Sequence, residues 1–237
     1  MNMPLNTSAN ISDPVAQARY NMIEQQIRPW NVLDADVLDL LAVVRREDFV
    51  PPAYRSLAFM DIEVPLLGND AEEAVRLGHS MLQPRVEARI LQDLQIQPTD
   101  RVLEIGAGSG YMAALLAHRA ERVVSLEINP ELAEMARENL RDAGIQNADV
   151  RQGDGARDAV PDGPFDVIVL SGSVAEVPAA LLALLKDGGR LGAIVGGEPV
   201  MRFTLTRRTG DRFETTSPWD TIAPRLVNFP EPSGFTF

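Results

Sequence analysis

The 237-residue chain carries 34 acidic against 22 basic side chains, and its formal net charge of −12 disfavours polyanionic partners such as DNA or tRNA, whose phosphates bind clustered Lys and Arg. With 45% hydrophobic and 24% charged residues it has the composition of a globular protein with one main core, and no apolar run approaches the roughly 20 residues that span a bilayer. The lack of cysteine excludes disulfides, thiolate catalysis and cysteine-held metals, and the histidines at 79 and 118 have no metal-ligand spacing, so no metal is expected.

Residues 1–12 have neither an early positive charge nor an apolar core; they read as a disordered lead-in and not a secretory signal, and a cytoplasmic protein is expected. Residues 13–83 read as a helical cap. Apolar spacing predicts a helix from Val15 to Ile27, with Asp13 as N-cap and Pro14 in its first turn, and another from Ala35 to Val43. Residues 84–237 read as the core with a C-terminal tail, cap and core forming one structural unit. A helix over 84–96 leads into strand 101–105, helix 110–119, strand 122–126, helix 130–142, strands 148–151 and 165–170, helix 178–185 and strand 190–195. This alternation predicts an α/β protein with a Rossmann-like, doubly wound, mostly parallel sheet covered on both faces. Residues 202–209 and 212–216, joined by Gly210-Asp211, predict a C-terminal antiparallel hairpin whose Arg202, Arg207, Arg208 and Arg212 face solvent. Trp219, Phe229, Phe235 and Phe237, among prolines, are read as a tail packing its rings on the core.

The chemistry concentrates where strand 101–105 ends. Arg101-Val-Leu-Glu-Ile-Gly-Ala-Gly-Ser-Gly-Tyr111 places glycines at 106, 108 and 110, a turn against which a ligand can lie directly on the backbone. Glu127 ends the next strand, positioned to accept hydrogen bonds from the hydroxyls of a ribose, and Gly153-Asp154-Gly155 follows the third. The site therefore reads as a nucleoside pocket. A dinucleotide fingerprint wants glycine or alanine where Tyr111 stands, and a pyrophosphate is poorly served by the carboxylate of Glu104. The Val-Leu-Glu-Ile-Gly-x-Gly-x-Gly pattern instead resembles motif I of the S-adenosylmethionine-dependent methyltransferases, whose cofactor carries an ammonium and a sulfonium that suit an acid at 104.

Outside that turn, Val44-Arg-Arg-Glu-x-Phe-Val-Pro51, Asp61, Val64-Pro65, Gln83-Pro84, Pro164-Phe-Asp166, Glu176-Val-Pro178 and Gly188-Gly-Arg-Leu191 resemble the protein-L-isoaspartate O-methyltransferases, from about residue 20 to 196. The resemblance implies methyl transfer from S-adenosylmethionine to the α-carboxylate of L-isoaspartyl residues in damaged proteins or peptides, whose ester then collapses to a succinimide and gives the site another chance to become aspartate. It assigns Glu127 to the ribose, Asp154 and Gly155 to the adenine edge, and Gly106, Gly108 and Gly110 with Glu104 to the methionine end of the cofactor. One departure concerns the acceptor. The family's active-site serine falls at Leu82 within Gly78-His-Ser-Met-Leu-Gln-Pro84, and leucine donates no hydrogen bond. Ser80, two residues upstream on the same face of an extended loop, is the candidate substitute, and His79 is read as exposed rather than catalytic. The loop Asn69 to Arg76 is longer than in the family, and its Glu72-Glu73 borders the expected cleft as a solvated negative rim. Leu82 leaves open a different carboxylate or small-molecule acceptor, or a non-catalytic S-adenosylmethionine-binding protein.

Overall fold

A computed structural model describes residues 13–68, 70–158 and 160–231; the lead-in and the rings of Phe235 and Phe237 lie outside the described residues. The first helix, α1 (Pro14–Met22), starts as expected: Asp13 accepts from the Val15 amide at 3.0 Å, and Pro14 occupies a position whose missing N–H costs nothing. The predicted length is reached in two forms, because the chain continues through a π-type turn (Ile23–Ile27), and a 3-10 turn (Arg28–Trp30) extends it before Asn31 at φ 61° ends it. Helix α2 (Ala35–Val43), capped by Asp34, lies where its periodicity put it.

The cap also holds a two-stranded ribbon that sequence did not indicate. β1 (Val64–Pro65) pairs antiparallel with β2 (Ser80–Met81), which fixes the stretch leading to Leu82. Between them α3 (Ala71–Arg76) is capped by Asp70, and its exposed Glu73 pairs with Arg76. This loop therefore carries a short helix that exposes Ala71, Glu72, Glu73 and Arg76 and buries Ala74.

The core follows as α4 (Pro84–Leu94), β3 (Arg101–Ile105), α5 (Tyr111–Ala117), β4 (Arg122–Glu127), α6 (Pro130–Asp142), β5 (Ala148–Gln152), β6 (Phe165–Val174), α7 (Ala179–Leu182), β7 (Leu185–Gly197), β8 (Val200–Thr209) and β9 (Arg212–Thr221). The sheet order is β5-β4-β3-β6-β7-β8-β9, parallel through β7 and antiparallel beyond. The chain winds from β3 outward to β5 and returns on the other side of β3. That reversal opens a crevice at the carboxyl ends of β3, β4 and β6, where α/β folds bind ligands.

The two faces are covered unequally. One hydrophobic cluster joins Met22, Ile27, Leu41 and Phe49 of the cap to α4, α5, α6 and the sheet residues Val102, Val123 and Val167, so cap and core share one interior. The opposite face, with Leu103, Ile105, Val124, Ile168 and Leu191, carries, among the described residues, α7, a few loop side chains and Phe229. The expected helix over 178–185 shrinks to Ala179–Leu182 because Leu185, fully buried, is drawn into the sheet opposite Phe165; pairing outweighs helix propensity there. Trp219, expected in the tail, lies in β9, where it stacks on Phe203 of β8 at 4.9 Å between centroids and donates to Asp93, so its ring packs on the core as Phe229 does. In the hairpin Arg202, Arg207 and Arg212 are exposed, while Arg208 turns back to the Leu185 carbonyl at 2.6 Å. Among the described residues no helix is long and apolar enough to cross a membrane, and no group of acidic or histidine side chains converges as a metal site.

Candidate active site

The crevice is a cleft of about 740 Å³, mouth included, lined by the glycine turn, Leu126–Asn129, Gly153–Gly155, Ser171-Gly172, the loop Leu77–Ser80 with Leu82, and Pro224–Val227. Its floor turns sharply after β3 because Gly106 adopts φ +92°, a conformation costly for any residue with a Cβ, while its amide is held by the Leu126 carbonyl at 2.8 Å.

Glu127 closes the turn from the side. Its two oxygens accept from the Gly108 amide (2.9 Å) and the Asn129 amide (3.0 Å), and it is 6% exposed at the cleft wall. Each oxygen keeps a lone pair, so the carboxylate is oriented yet still able to accept from two further donors. Asn129 also caps α6 and lies 3.3 Å from His79, tying this wall to the loop opposite.

Glu104 is placed differently from its expected role. It is fully buried on the α4/α5 side of β3, accepting from Ser125 (2.5 Å) and Ser171 (2.8 Å), and it does not line the cleft. The expected direct contact with a ligand ammonium therefore does not follow from this geometry: the neighbour of Glu104 that lines the cleft is Ser171, whose hydroxyl donates to Glu104. Burial pushes the Glu104 carboxyl up to about 7, partly offset by the serine hydroxyls. Folding holds this proton more tightly than the unfolded chain, where it titrates near 4.5, so the associated stability is full below that pH and lost as pH rises through 7. Glu104→Gln, which carries no charge, is expected to gain on the unmodified protein by on the order of 1–3 kcal/mol between about pH 5 and pH 8 in urea unfolding. A pH-independent difference would contradict it.

Gly110 is likewise relocated. At φ +84° it packs against α6, where a Cβ would stand 3.1–3.2 Å from the Ala136 oxygen, Cα and Cβ, so the position lets α5 approach α6, and it does not line the cleft. Asp154 and Gly155 do reach the cleft, but the Asp154 oxygens are engaged by the Ala156 amide (2.9 Å) and Asn228 (2.8 Å). Gly155 lacks room for a side chain: a Cβ there would stand 2.4 Å from the Ile105 Cγ2. Gly155→Ala is expected to cost about 1–3 kcal/mol as a lowered urea midpoint, and an unchanged midpoint would contradict this packing.

On the opposite wall Ser80 and Leu82 both face the cleft, as the extended spacing predicts. Ser80 donates to Glu63 at 3.3 Å, whose carboxyl burial pushes upward. Leu82 is 5% exposed and packs into the main core, its carbonyl held by the buried Arg46 at 2.6 Å. Glu72 and Glu73 do not line the cleft, which corrects the expected negative rim.

Sequence reasoning missed the strap that roofs the cleft, residues 223–229. Ser173 pins it: its amide donates to the Pro224 carbonyl (2.7 Å), its hydroxyl to the Ala223 carbonyl (2.9 Å), and its carbonyl accepts from Leu226 (2.9 Å). Leu226 lies over Gly106 and Gly172, and Asn228 latches onto Asp154. The available signal was Ser171-Gly-Ser173 ending an apolar strand at the switch point, small residues where the sheet must stay open.

The family profile for protein-L-isoaspartate(D-aspartate) O-methyltransferase matches residues 17–222, through cap and core alike. A protein-L-isoaspartate O-methyltransferase of Methanoculleus marisnigri is 40% identical over 205 residues, covering 86% of this chain and 89% of its own. That of Methylorubrum extorquens is 39% identical over 219 residues, covering 90% and 91%. A solved protein-L-isoaspartate O-methyltransferase superposes with a TM-score of 0.73 at 25% identity, over 87% of this chain and 65% of that one. A putative one from Plasmodium falciparum, in complex with S-adenosyl-L-homocysteine, shares the fold at a TM-score of 0.72 and 18% identity, over 88% of this chain and 97% of that one. The chain belongs to the protein-L-isoaspartate O-methyltransferase family.

Proposed function

We propose that the protein transfers the methyl group of S-adenosylmethionine to the α-carboxylate of L-isoaspartyl residues in damaged proteins and peptides. The observation that carries this reading is that the family match runs through the cap as well as the core, and the cap supplies the wall of the cleft opposite Glu127. The cleft suits the cofactor's chemistry. Glu127 offers oriented acceptors for ribose hydroxyls, and Ser171, backed by Glu104, offers a polar contact for an ammonium. Gly153–Gly155 presents backbone to the adenine end.

Bound there, S-adenosylmethionine supplies an electrophilic methyl group that a carboxylate oxygen accepts without a base. The protein's part is alignment and exclusion of water. Leu82, Leu226 and Phe229 make the cleft walls apolar, which strips solvent from an entering carboxylate. Ser80 is the hydroxyl on the acceptor wall; in this reading it turns from Glu63 to the carboxylate and takes the place that Leu82 leaves empty. His79, beside Asn129, positions the loop and moves no proton.

The test is incubation with methyl-labelled S-adenosylmethionine and an isoaspartyl peptide beside its aspartyl twin, counting base-labile methyl ester. Ester on the isoaspartyl peptide alone is expected. No ester at saturating cofactor would overturn the reading, as would equal labelling of the twins.

A further inference from the structure

A damaged residue arrives as part of a polypeptide, so the chain on either side of it has to lie against the protein's surface. The walls of the cleft lead to a place for it. Leu82 lines the cleft, and the next residue, Gln83, lines a second hollow of about 560 Å³, mouth included. On the strap side Pro224 lines the cleft and Ile222 lines that same second hollow. Consecutive Cα atoms stand about 3.8 Å apart, so hollows divided by one or two residues on each side are bridged by a few residues of extended chain, at roughly 3.3 Å each.

The second hollow is built around cations on aromatic rings. Two arginines one turn apart on α4 line it: Arg85 Cζ lies 4.0 Å from the Trp30 ring centroid, and Arg89 Cζ lies 4.8 Å from that of Trp219. A ring takes the face of a guanidinium and leaves its N–H edges free to donate. Arg85 is paired with Asp61. Arg89 is not so matched. The acid one turn further along α4, Asp93, where a helix places a partner, accepts instead from the Trp219 indole at 2.7 Å. Asp220, also in the lining, pairs with Arg202 at 3.0 Å. Among the described residues Arg89 forms no ion pair, and it is half-buried, so a ligand in the hollow has access to it. Trp219, itself stacked on Phe203, steadies the guanidinium, which reduces the side-chain freedom lost when an anion binds. On a chain of net charge −12 this is an uncommitted cation beside the exposed apolar surface of Trp30 and Ile222.

We propose that this hollow is a docking site for the polypeptide that carries the damaged residue, with Arg89 pairing with an acidic side chain within three residues of the isoaspartyl position. This assignment rests on the isoaspartyl reading above and narrows its substrate class to isoaspartyl sites with a neighbouring Asp or Glu. Trp30 and Ile222 supply the apolar surface on which the intervening chain lies. Because the pair is partly solvated, its contribution is that of a specificity contact and not of the main anchor.

The experiment measures binding and not turnover. Protein saturated with S-adenosylhomocysteine is titrated calorimetrically with isoaspartyl peptides that carry glutamate, or glutamine in its place, at each of the three positions on either side of the isoaspartyl residue. At one or more positions on one side, the glutamate peptide is expected to bind about fivefold more tightly than its glutamine twin, or about 1 kcal/mol. In Arg89→Gln that preference is expected to fall to about one. In Arg89→Glu it is expected to reverse, so that a lysine at the same position is favoured over glutamate. S-adenosylhomocysteine affinity within about threefold of the unmodified protein establishes that each variant keeps its cleft. No position with more than a twofold preference, or a preference that persists in Arg89→Gln, would overturn the assignment. Equal weakening of both twins in Arg89→Gln, which marks a merely structural role, would do the same, as would a dimer of the unmodified protein that Arg89→Gln abolishes, which gives the hollow to a second copy. If the unmodified protein methylates the peptides while any of these results holds, only the docking assignment fails; if it neither binds nor methylates them, the isoaspartyl reading fails and this assignment falls with it.

Discussion

Glu127→Ala is expected to weaken S-adenosylhomocysteine binding by about 100-fold or more, the largest loss from any single change in the cleft. The carboxylate does two jobs. It is the acceptor available to ribose hydroxyls, and its oxygens hold the Gly108 and Asn129 amides that shape the turn after β3 and the start of α6. Hydrogen bonds to a charged group contribute roughly 1.5–3 kcal/mol each, and a factor of 100 needs about 2.7 kcal/mol, so loss of the ribose contacts with a loosened turn suffices. Glu127→Gln keeps the shape and one acceptor oxygen but loses the charge, and a loss of about tenfold is expected for it. Calorimetry at fixed salt separates the two variants. An alanine variant within threefold of the unmodified affinity would remove Glu127 from the cofactor's binding groups.

Arg46→Ala is expected to lower stability by about 3–5 kcal/mol, a drop of roughly 10 °C or more in the unfolding midpoint. Arg46 is fully buried, paired with the equally enclosed Glu87, bonded to the Leu82 carbonyl, and stacked over the Tyr111 ring at 5.3 Å. Removing it strands the Glu87 carboxyl and an unpaired carbonyl in an interior that offers neither a partner. Replacing both members, Arg46→Met with Glu87→Met, is expected to recover most of the loss, because the stranded charge and not the missing contact is the main cost. Recovery of stability need not restore the acceptor wall. The double variant still lacks the donor that fixes Leu82, so its KM for an isoaspartyl peptide is expected to stay raised by severalfold. A single variant within 1 kcal/mol of the unmodified protein, or a double variant less stable than the single, would contradict this account.

The parts legible in the sequence are those specified by neighbouring residues. Strand β3, its glycine turn and Glu127 are legible because strand, turn and acid follow one another within a single βαβ unit, and the structure places Gly106, Gly108 and Glu127 together in the cleft. Asp13 and Pro14 announce the start of the first helix for the same reason. What was not legible depends on partners distant in sequence. The pattern does not reveal that Glu104 is occupied by Ser125 and Ser171, because one serine is its neighbour in the β3–β4 register and the other arrives from β6, 67 residues away. Gly110 looked like its two companions, yet it serves the approach of α5 to α6. Arg46 was visible only as part of a family pattern; its reason is Glu87 and the Leu82 carbonyl, brought to it by folding. The strap is the extreme case, since nothing near residues 223–229 signals that Ser173 will pin them over the glycine turn.

The central claim is that this cleft performs isoaspartyl methylation with leucine at position 82. Its most direct measurement follows a purified isoaspartyl peptide, incubated with the protein and S-adenosylmethionine, by chromatography that separates isoaspartyl, succinimidyl and aspartyl forms. The account predicts steady loss of the isoaspartyl form, transient succinimide and accumulation of the aspartyl form, all dependent on S-adenosylmethionine. An isoaspartyl peptide that persists unchanged, while calorimetry shows the cofactor bound, would contradict it.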